Sequence, residues 1–331
     1  MSKNVIIIGG GIIGLSAAYF LQKEGHQVTV VDQSNLDAGA SFVNAGYISP
    51  SHIIPLSAPG VMKKGIKWMF NSSSPLYIKP RLDLDFLSWA WAFNKSCSVS
   101  HVKKAIPVIK ELALLSQSLY EDIQKVEKFT SHYQKKGLLM LCQTENMLAE
   151  EVKIANLARS EGLDVIEINK DELQSLEPNV KIEAIGATYF KCDSHSTPHE
   201  FMQNMTAYLK DRGVTFYTNE KVEDLEVING NITSIKTNKQ KLKADEFVLA
   251  AGSWSYLLSK KIRLNLLLQA GKGYRIDSLS KTGITIPANL AEAKAAVTPM
   301  NGFTRFAGTM EIAGINHKIR KERVEAIANA V

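Results

Sequence analysis

The 331-residue sequence is poor in cysteine, and Cys97, Cys142 and Cys192 are odd in number, scattered and never spaced Cys-x-x-Cys. That excludes a disulfide framework and leads us to expect reduced thiols in a cytoplasmic protein. No stretch supplies the roughly 20 apolar residues that a membrane-spanning helix needs. The apolar run after Lys3 superficially resembles a secretion signal, but Gly9-Gly10-Gly11 interrupts it and no small-residue cleavage site follows. Any membrane contact is therefore expected to be peripheral, on the inner face of the cytoplasmic membrane. The sequence also lacks a zinc finger, an RNA-binding signature and a dense Lys/Arg tract. Its net charge of +6 is dispersed among acidic residues, which reads as solvated faces and makes no case for nucleic acid. His195 and His199 are four apart, but Thr197-Pro198 between them reads as a helix start, so they share no helical face and no metal site is expected.

What is there suits a folded chain of two domains: 45% apolar and 22% charged residues over a length about twice that of one domain. Asn4 to Ile8 reads as a short, fully buried strand ending in Gly9-Gly10-Gly11-Ile12-Ile13-Gly14, a G-x-G-x-x-G pattern. Helical spacing then directs Ile13, Ala17 and Leu21 toward a sheet, Gly25 closes the helix, and Gln27 to Val31 forms a second strand ending at Asp32. Each part has a physical role. Gly9 permits the tight turn, Gly11 lets a pyrophosphate approach the backbone, and Gly14 with Ala18 allows close helix-on-strand packing. Asp32, 18 residues after Gly14, is placed to accept ribose hydroxyls, and an acid here disfavours the 2′-phosphate of NADP. Gly9, Gly10, Gly11, Ile12, Ile13, Gly14, Asp32 and the adjoining Gln33 are thus the first candidate cofactor-binding residues.

The choice of FAD over NAD rests on the chain beyond Asp32. There the alternating pattern gives way to a loop, and the sheet resumes only at Thr197-Pro-His-Glu200, a capping box opening an amphipathic helix to about Arg212. Val214 to Tyr217, Val222 to Ile228, an Asn229-Gly230 turn, Ile232 to Thr237 and Glu246 to Ala250 then read as strands. A long excursion followed by a β-meander suits FAD. Val222 at the start of the meander, and Ala251 and Gly252 after its return strand, join the cofactor-binding candidates, although a small-residue run here also fits a plain tight turn.

Residues 39–50 (GASFVNAGYISP), 58–70 (APGVMKKGIKWMF) and 271–274 (GKGY), with the N-terminal glycines, resemble the bacterial D-amino acid dehydrogenase family. The wider group contains D-amino acid, glycine and sarcosine oxidases. The resemblance implies an α/β fold with an α+β part, in which a Rossmann-like FAD-binding domain with a β-meander is joined to a sheet-based substrate domain. The chain would cross between them more than once: FAD-binding in 1–60 and 196–256, substrate domain in 61–195 and 257–320. It also implies oxidation of a D-amino acid by hydride transfer from Cα to flavin N5, giving a 2-oxo acid and ammonia, with a quinone or respiratory carrier as electron acceptor. The chemistry belongs to the cofactor, so no catalytic side chain is expected. Ser41, Asn44, Ala45 and Gly46 would lie along the flavin. His52, Tyr274 after a Gly-Lys-Gly turn, and Arg305 are the substrate-binding candidates. Arg305 lies on an expected hairpin of Ala295 to Met300 and Phe303 to Glu311 with a type I′ turn at Asn301-Gly302. An arginine fork matches a carboxylate, and a solvated strand residue is the other reading of Arg305.

The family's chain normally continues to a Trp-x-Gly-x-Arg-Pro segment and a glycine-rich stretch at the flavin, and neither motif occurs before Val331. Residues 321–331 are therefore expected to begin a C-terminal segment that the sequence lacks. Three alternatives stay open: an enzyme for D-hydroxyproline, glycine or sarcosine, a catalytically inert flavin-binding fragment, and an NAD-dependent dehydrogenase.

Overall fold

The computed structural model describes residues 1–61 and 76–331. Residues 62–70 of the segment 58–70 that carries the family resemblance lie outside them. The chain divides into two units, 1–44 with 198–269 and 45–197 with 270–331. The first crossing thus falls at residue 44, not at the boundary of 60 expected from the sequence, and the helix Lys321–Ala328 sits within the second unit.

In the first unit a parallel sheet runs in the order Thr215–Tyr217, Gln27–Val31, Asn4–Ile8, Glu246–Leu249. Its first strand is apolar almost throughout because both faces are covered. Ile6 and Ile8 pack with Val31, Val222, Leu225 and Ile235 on the meander side, while Ile7 faces the helix Ile12–Lys23 at Gly14. The meander is an antiparallel sheet of Val222–Ile228, Asn231–Thr237 and Lys241–Lys243. Asn229 and Gly230 both have positive φ (51° and 80°), as a type I′ turn demands.

The periodicity of the first helix is displaced from the expected one. Its buried residues are Gly14, Leu15, Ala18 and Tyr19, whereas Ile13 is 69% exposed and Ala17 and Leu21 are half-buried. Gly14 must face the strand for the helix to approach, and the 100° turn per residue then carries Ile13 away from it.

In the second unit a mixed sheet runs Gly271–Ser278, Phe303–Ile312, Ala295–Met300, Ala288–Leu290, Leu138–Cys142, Gly186–Phe190, Val165–Asn169, with Leu76–Ile78 pairing alongside Phe303–Ile312. The all-apolar Leu138–Cys142 strand serves two cores. Leu138 and Met140 pack with Ala155 and Ala158 of the helix Glu145–Ser160, and Leu139 packs with Leu173, Ala187 and Val297 on the other face. The 29-residue helix Val99–Glu127 has no counterpart among the sequence expectations, although Ser98 caps it by accepting from His101 N at 3.2 Å.

Two expected turns differ. Gly271 to Tyr274 is part of a strand, not a turn. At Asn301-Gly302 only Gly302 has positive φ (82°), so the hairpin does not close through type I′. Thr197 Oγ1, expected to cap the following helix, accepts from Asn301 N at 3.0 Å.

His195 lies on the small strand Ser194–Ser196, fully buried, with the His132 ring edge-on at 5.8 Å. Burial, aided by the charge that His132 can carry, lowers its pKa to about 4. The unfolded chain, with His195 near 6.5, binds more protons between those values, so acidification through that window favours unfolding and stability from this group is constant above it. We expect the unfolding free energy from urea titrations between pH 7 and pH 4 to fall more steeply in the wild type than in His195→Gln, by about 3 kcal/mol at the acid end. Parallel curves would refute the assignment.

Candidate functional site

The Gly9–Gly14 turn lies at the C-terminal ends of the parallel strands. Gly9 has φ +109°, and a Cβ there would stand 2.4 Å from the Ala250 carbonyl oxygen. Gly9 N donates to Val31 O at 2.9 Å and Ala250 N donates to Ile8 O at 2.8 Å, so three chain segments converge on one glycine. A Cβ on Gly14 would come within 1.8 Å of the Gly9 carbonyl oxygen. Beside Gly11 an added Cβ would meet only Ser41 Oγ, at 3.2 Å, and no backbone, so this is where a pyrophosphate can reach the main chain. The turn fits a dinucleotide on its own geometry.

Asp32 does more than was expected of it. Its Oδ2 accepts from Gly10 N at 2.7 Å, and its Oδ1 accepts from Ser34 N at 2.7 Å and Ser34 Oγ at 2.6 Å. A carboxylate offers about four acceptor sites, so roughly one remains for a ribose hydroxyl. Its larger task is to hold the glycine turn. We expect Asp32→Ala to weaken FAD binding by about 10- to 100-fold, read as quenching of FAD fluorescence on titrating apoprotein. An unchanged Kd would show that the turn holds its shape without the carboxylate.

Ser41, in the short helix Ala40–Val43, also serves the turn: its Oγ accepts from Ile12 N at 3.0 Å. Asn44 Nδ2 donates to the Ala40 and Ser41 carbonyls at 3.1 Å, Ala45 O accepts from Thr298 Oγ1 at 2.7 Å, and Gly46 O accepts from Ser196 N at 2.8 Å. Gln33 is exposed, and Val222 is buried in the meander core. Ala251 accepts from Trp254 N at 3.0 Å, and Gly252 has φ +51°. The structure therefore brings together Gly9 to Gly14, Asp32, Ser41 and the 250–251 segment.

The substrate-binding candidates are not brought together. Arg305 is 2% exposed, and its fork is occupied: Nε donates to Asp277 Oδ1 at 2.8 Å and Nη2 to Asp277 Oδ2 at 3.0 Å. Asp277 and Arg305 are direct cross-strand partners, so Arg305 is a structural ion pair, neither a solvated strand residue nor an open carboxylate clamp. The buried Tyr274 lies in a charge cluster. Glu311, also buried, pairs with Lys272 Nζ at 2.7 Å and lies 3.4 Å from Arg320 Nε, and the Arg323 guanidinium is 5.7 Å from the Tyr274 ring centre. Burial alone would raise the pKa of Glu311, but Lys272 and Arg320 hold it below its ordinary value. His52 is exposed, with Nδ1 2.9 Å from Ser51 Oγ, which donates to the buried Asp193 at 2.6 Å.

Sequence reasoning missed Ser34 and Asp277. The Asp-x-Ser pattern after a strand could have signalled the first, because Asp readily bonds the backbone two residues on. Asp277 gives no such signal, since its partner depends on strand register.

A glycine turn closed by an acid on the second strand, with a meander over the same sheet and a separate sheet-based unit in the chain, defines an FAD-binding oxidoreductase. The family described as DAO, FAD dependent oxidoreductase, matches residues 4–331, and the chain belongs to it. It is 30% identical over 326 residues to a D-amino acid dehydrogenase of Helicobacter pylori, covering 98% of this chain and 78% of that one. Against a D-amino acid dehydrogenase of Vibrio atlanticus the identity is also 30%, covering 98% and 79%. Among solved structures, glycine oxidase of Bacillus cereus is similar with a TM-score of 0.70 at 20% identity, covering 99% of this chain and 77% of that one. The L-alpha-glycerophosphate oxidase of Mycoplasma pneumoniae, solved with FAD bound, has a TM-score of 0.69 at 16% identity, covering 100% and 78%. At those identities the two structures speak to fold alone.

Proposed function

We propose that the protein oxidises D-amino acids to the 2-oxo acid and ammonia, with FAD as the oxidant. The observation that carries this reading is the 30% identity to D-amino acid dehydrogenases across 98% of the chain. The unit of 1–44 and 198–269 binds FAD, and the unit of 45–197 and 270–331 receives the substrate. Gly9 to Gly14, Asp32 and Ser41 hold the cofactor through the glycine turn. When bound, the flavin supplies the acceptor for the hydride leaving the substrate Cα at N5. The imino acid product then hydrolyses in water, releasing ammonia. The protein's part is to orient a neutral amine and exclude competing geometries.

A quinone or respiratory carrier takes the electrons, and the enzyme meets it by peripheral contact with the membrane. Trp91 in the helix Leu84–Ser96 and Leu112 in the helix Val99–Glu127, large apolar residues that are 68% and 62% exposed, are surface that such a contact would cover. Among the described residues no helix is long and apolar enough to cross a membrane.

The test is anaerobic addition of D-alanine, D-proline and cis-4-hydroxy-D-proline to FAD-loaded protein, following the flavin absorbance band. We expect bleaching by a D-substrate and none by its L-enantiomer. Bound flavin that no amine reduces would overturn the reading in favour of an inert flavin-binding fragment.

A further inference from the structure

The first unit carries a second concavity, at the opposite end of its parallel strands from the glycine turn. It is a groove of about 550 Å³ between the strand starts and the third meander strand, and its lining includes Asn4, Gln27, Thr29, Thr215, Arg212 and Lys243.

Three observations give this groove a chemistry. Its floor carries polar side chains around Ile6, where a covered parallel sheet is normally apolar. Side chains alternate along a strand, so Asn4, Gln27, Thr29 and Thr215 share the face that carries Ile8 and Val31 farther up. Register sets Asn4 beside Gln27, and Thr29 beside Thr215. Two amides and, one register row farther in, two hydroxyls beside Ile6 therefore stand at the mouth of a sheet whose other end is covered by the meander.

The walls are cationic. Arg212 follows the helix Pro198–Asp211, Lys243 ends the facing meander strand, and no acidic residue lines the groove. Of the acids nearby, Asp245 accepts from Asn4 N at 2.8 Å, Glu246 pairs with Lys3 at 2.6 Å, and Glu226 pairs with Lys241 at 2.6 Å while also feeling the charge of Lys243. Among the described residues neither Arg212 nor Lys243 forms an ion pair, and Arg212 is held only over the Tyr208 ring, 5.1 Å from its centre. Two cations on the groove walls, neither held in an ion pair, favour an anion between them.

We propose that this groove binds a small phosphate monoester, its phosphate between Arg212 and Lys243 and its hydroxyls on the Thr29 and Thr215 floor. The site is separate from the cofactor turn, because it lies at the N-terminal ends of the strands whose C-terminal ends carry Gly9 to Gly14.

The test uses FAD-loaded protein, so that the dinucleotide turn is not available to the probe. Glycerol 3-phosphate and inorganic phosphate are titrated by calorimetry at constant ionic strength, since exposed charges are screened by salt. Saturable binding of glycerol 3-phosphate is expected with a Kd of about 1 mM or tighter. The double variant Arg212→Glu, Lys243→Glu is expected to lose at least about tenfold in affinity, the effect of roughly 1.4 kcal/mol, with flavin content and visible spectrum unchanged. Thr29→Val, which keeps both cations, is expected to weaken glycerol 3-phosphate more than inorganic phosphate. No saturable binding up to about 10 mM, or equal affinity in the charge-reversed variant, would overturn the proposal. Equal affinity of wild type for the two probes would overturn the role given to the threonine floor.

Discussion

Gly14→Ala protein is expected to purify with less than about a tenth of the wild-type FAD content, the largest single-residue effect on the cofactor. The added Cβ would stand 1.8 Å from the Gly9 carbonyl oxygen and 3.3 Å from Ile7 Cγ2. Neither neighbour can give way. Gly9 is fixed by its bond to Val31 O and by the Ala250–Ala251 backbone, and Ile7 is fully buried in the sheet. The helix must therefore lift off the strand, which moves its N-terminus and the Ser41 and Asp32 contacts that shape the turn. Absorbance at the flavin band relative to 280 nm checks this directly. Stoichiometric FAD in the variant would show that the helix can retreat without opening the turn.

Glu177→Ala is expected to cost about 3 kcal/mol of stability, a drop of roughly 6–12 °C in Tm. Glu177 follows the helix Lys170–Leu176 and is 2% exposed. Its carboxylate accepts from Thr285 N at 2.9 Å, Thr285 Oγ1 at 3.1 Å and Ile286 N. These contacts seat Ile286 in the core beside Leu173 and Ala288. Alanine leaves the buried Ile286 N–H without an acceptor, which is the expensive way to lose a hydrogen bond. Glu177→Gln keeps one acceptor oxygen and should recover part of the loss. Thermal unfolding followed by circular dichroism measures both, and a shift of less than about 2 °C for alanine would mean that water or relaxation replaces the carboxylate.

The elements legible in the sequence were those whose signals are local. The strand Asn4–Ile8, the glycine turn, the strand Gln27–Val31 and the Asn229-Gly230 turn rest on apolar runs and on backbone conformations that few residues adopt. The expectations that failed depended on partners. Arg305 suited a carboxylate, and it has one, but from Asp277 on the adjacent strand. Gly271 to Tyr274 held turn residues, yet pairing with Phe303–Ile312 drew it into a strand.

Sequence alone pointed to a bound dinucleotide, since the strand, the glycines, the helix and Asp32 lie within the first 32 residues at the spacing such a turn uses. Only tertiary structure decided what those residues contact. Asp32 spends most of its acceptor capacity on Gly10 and Ser34, Ser41 caps the helix, and the polar ends of three strands meet opposing cations in a groove. The reason is physical: backbone preference and hydrophobic period are properties of neighbouring residues, whereas a hydrogen-bond or ion-pair partner is chosen by strand register and packing between segments far apart in the chain.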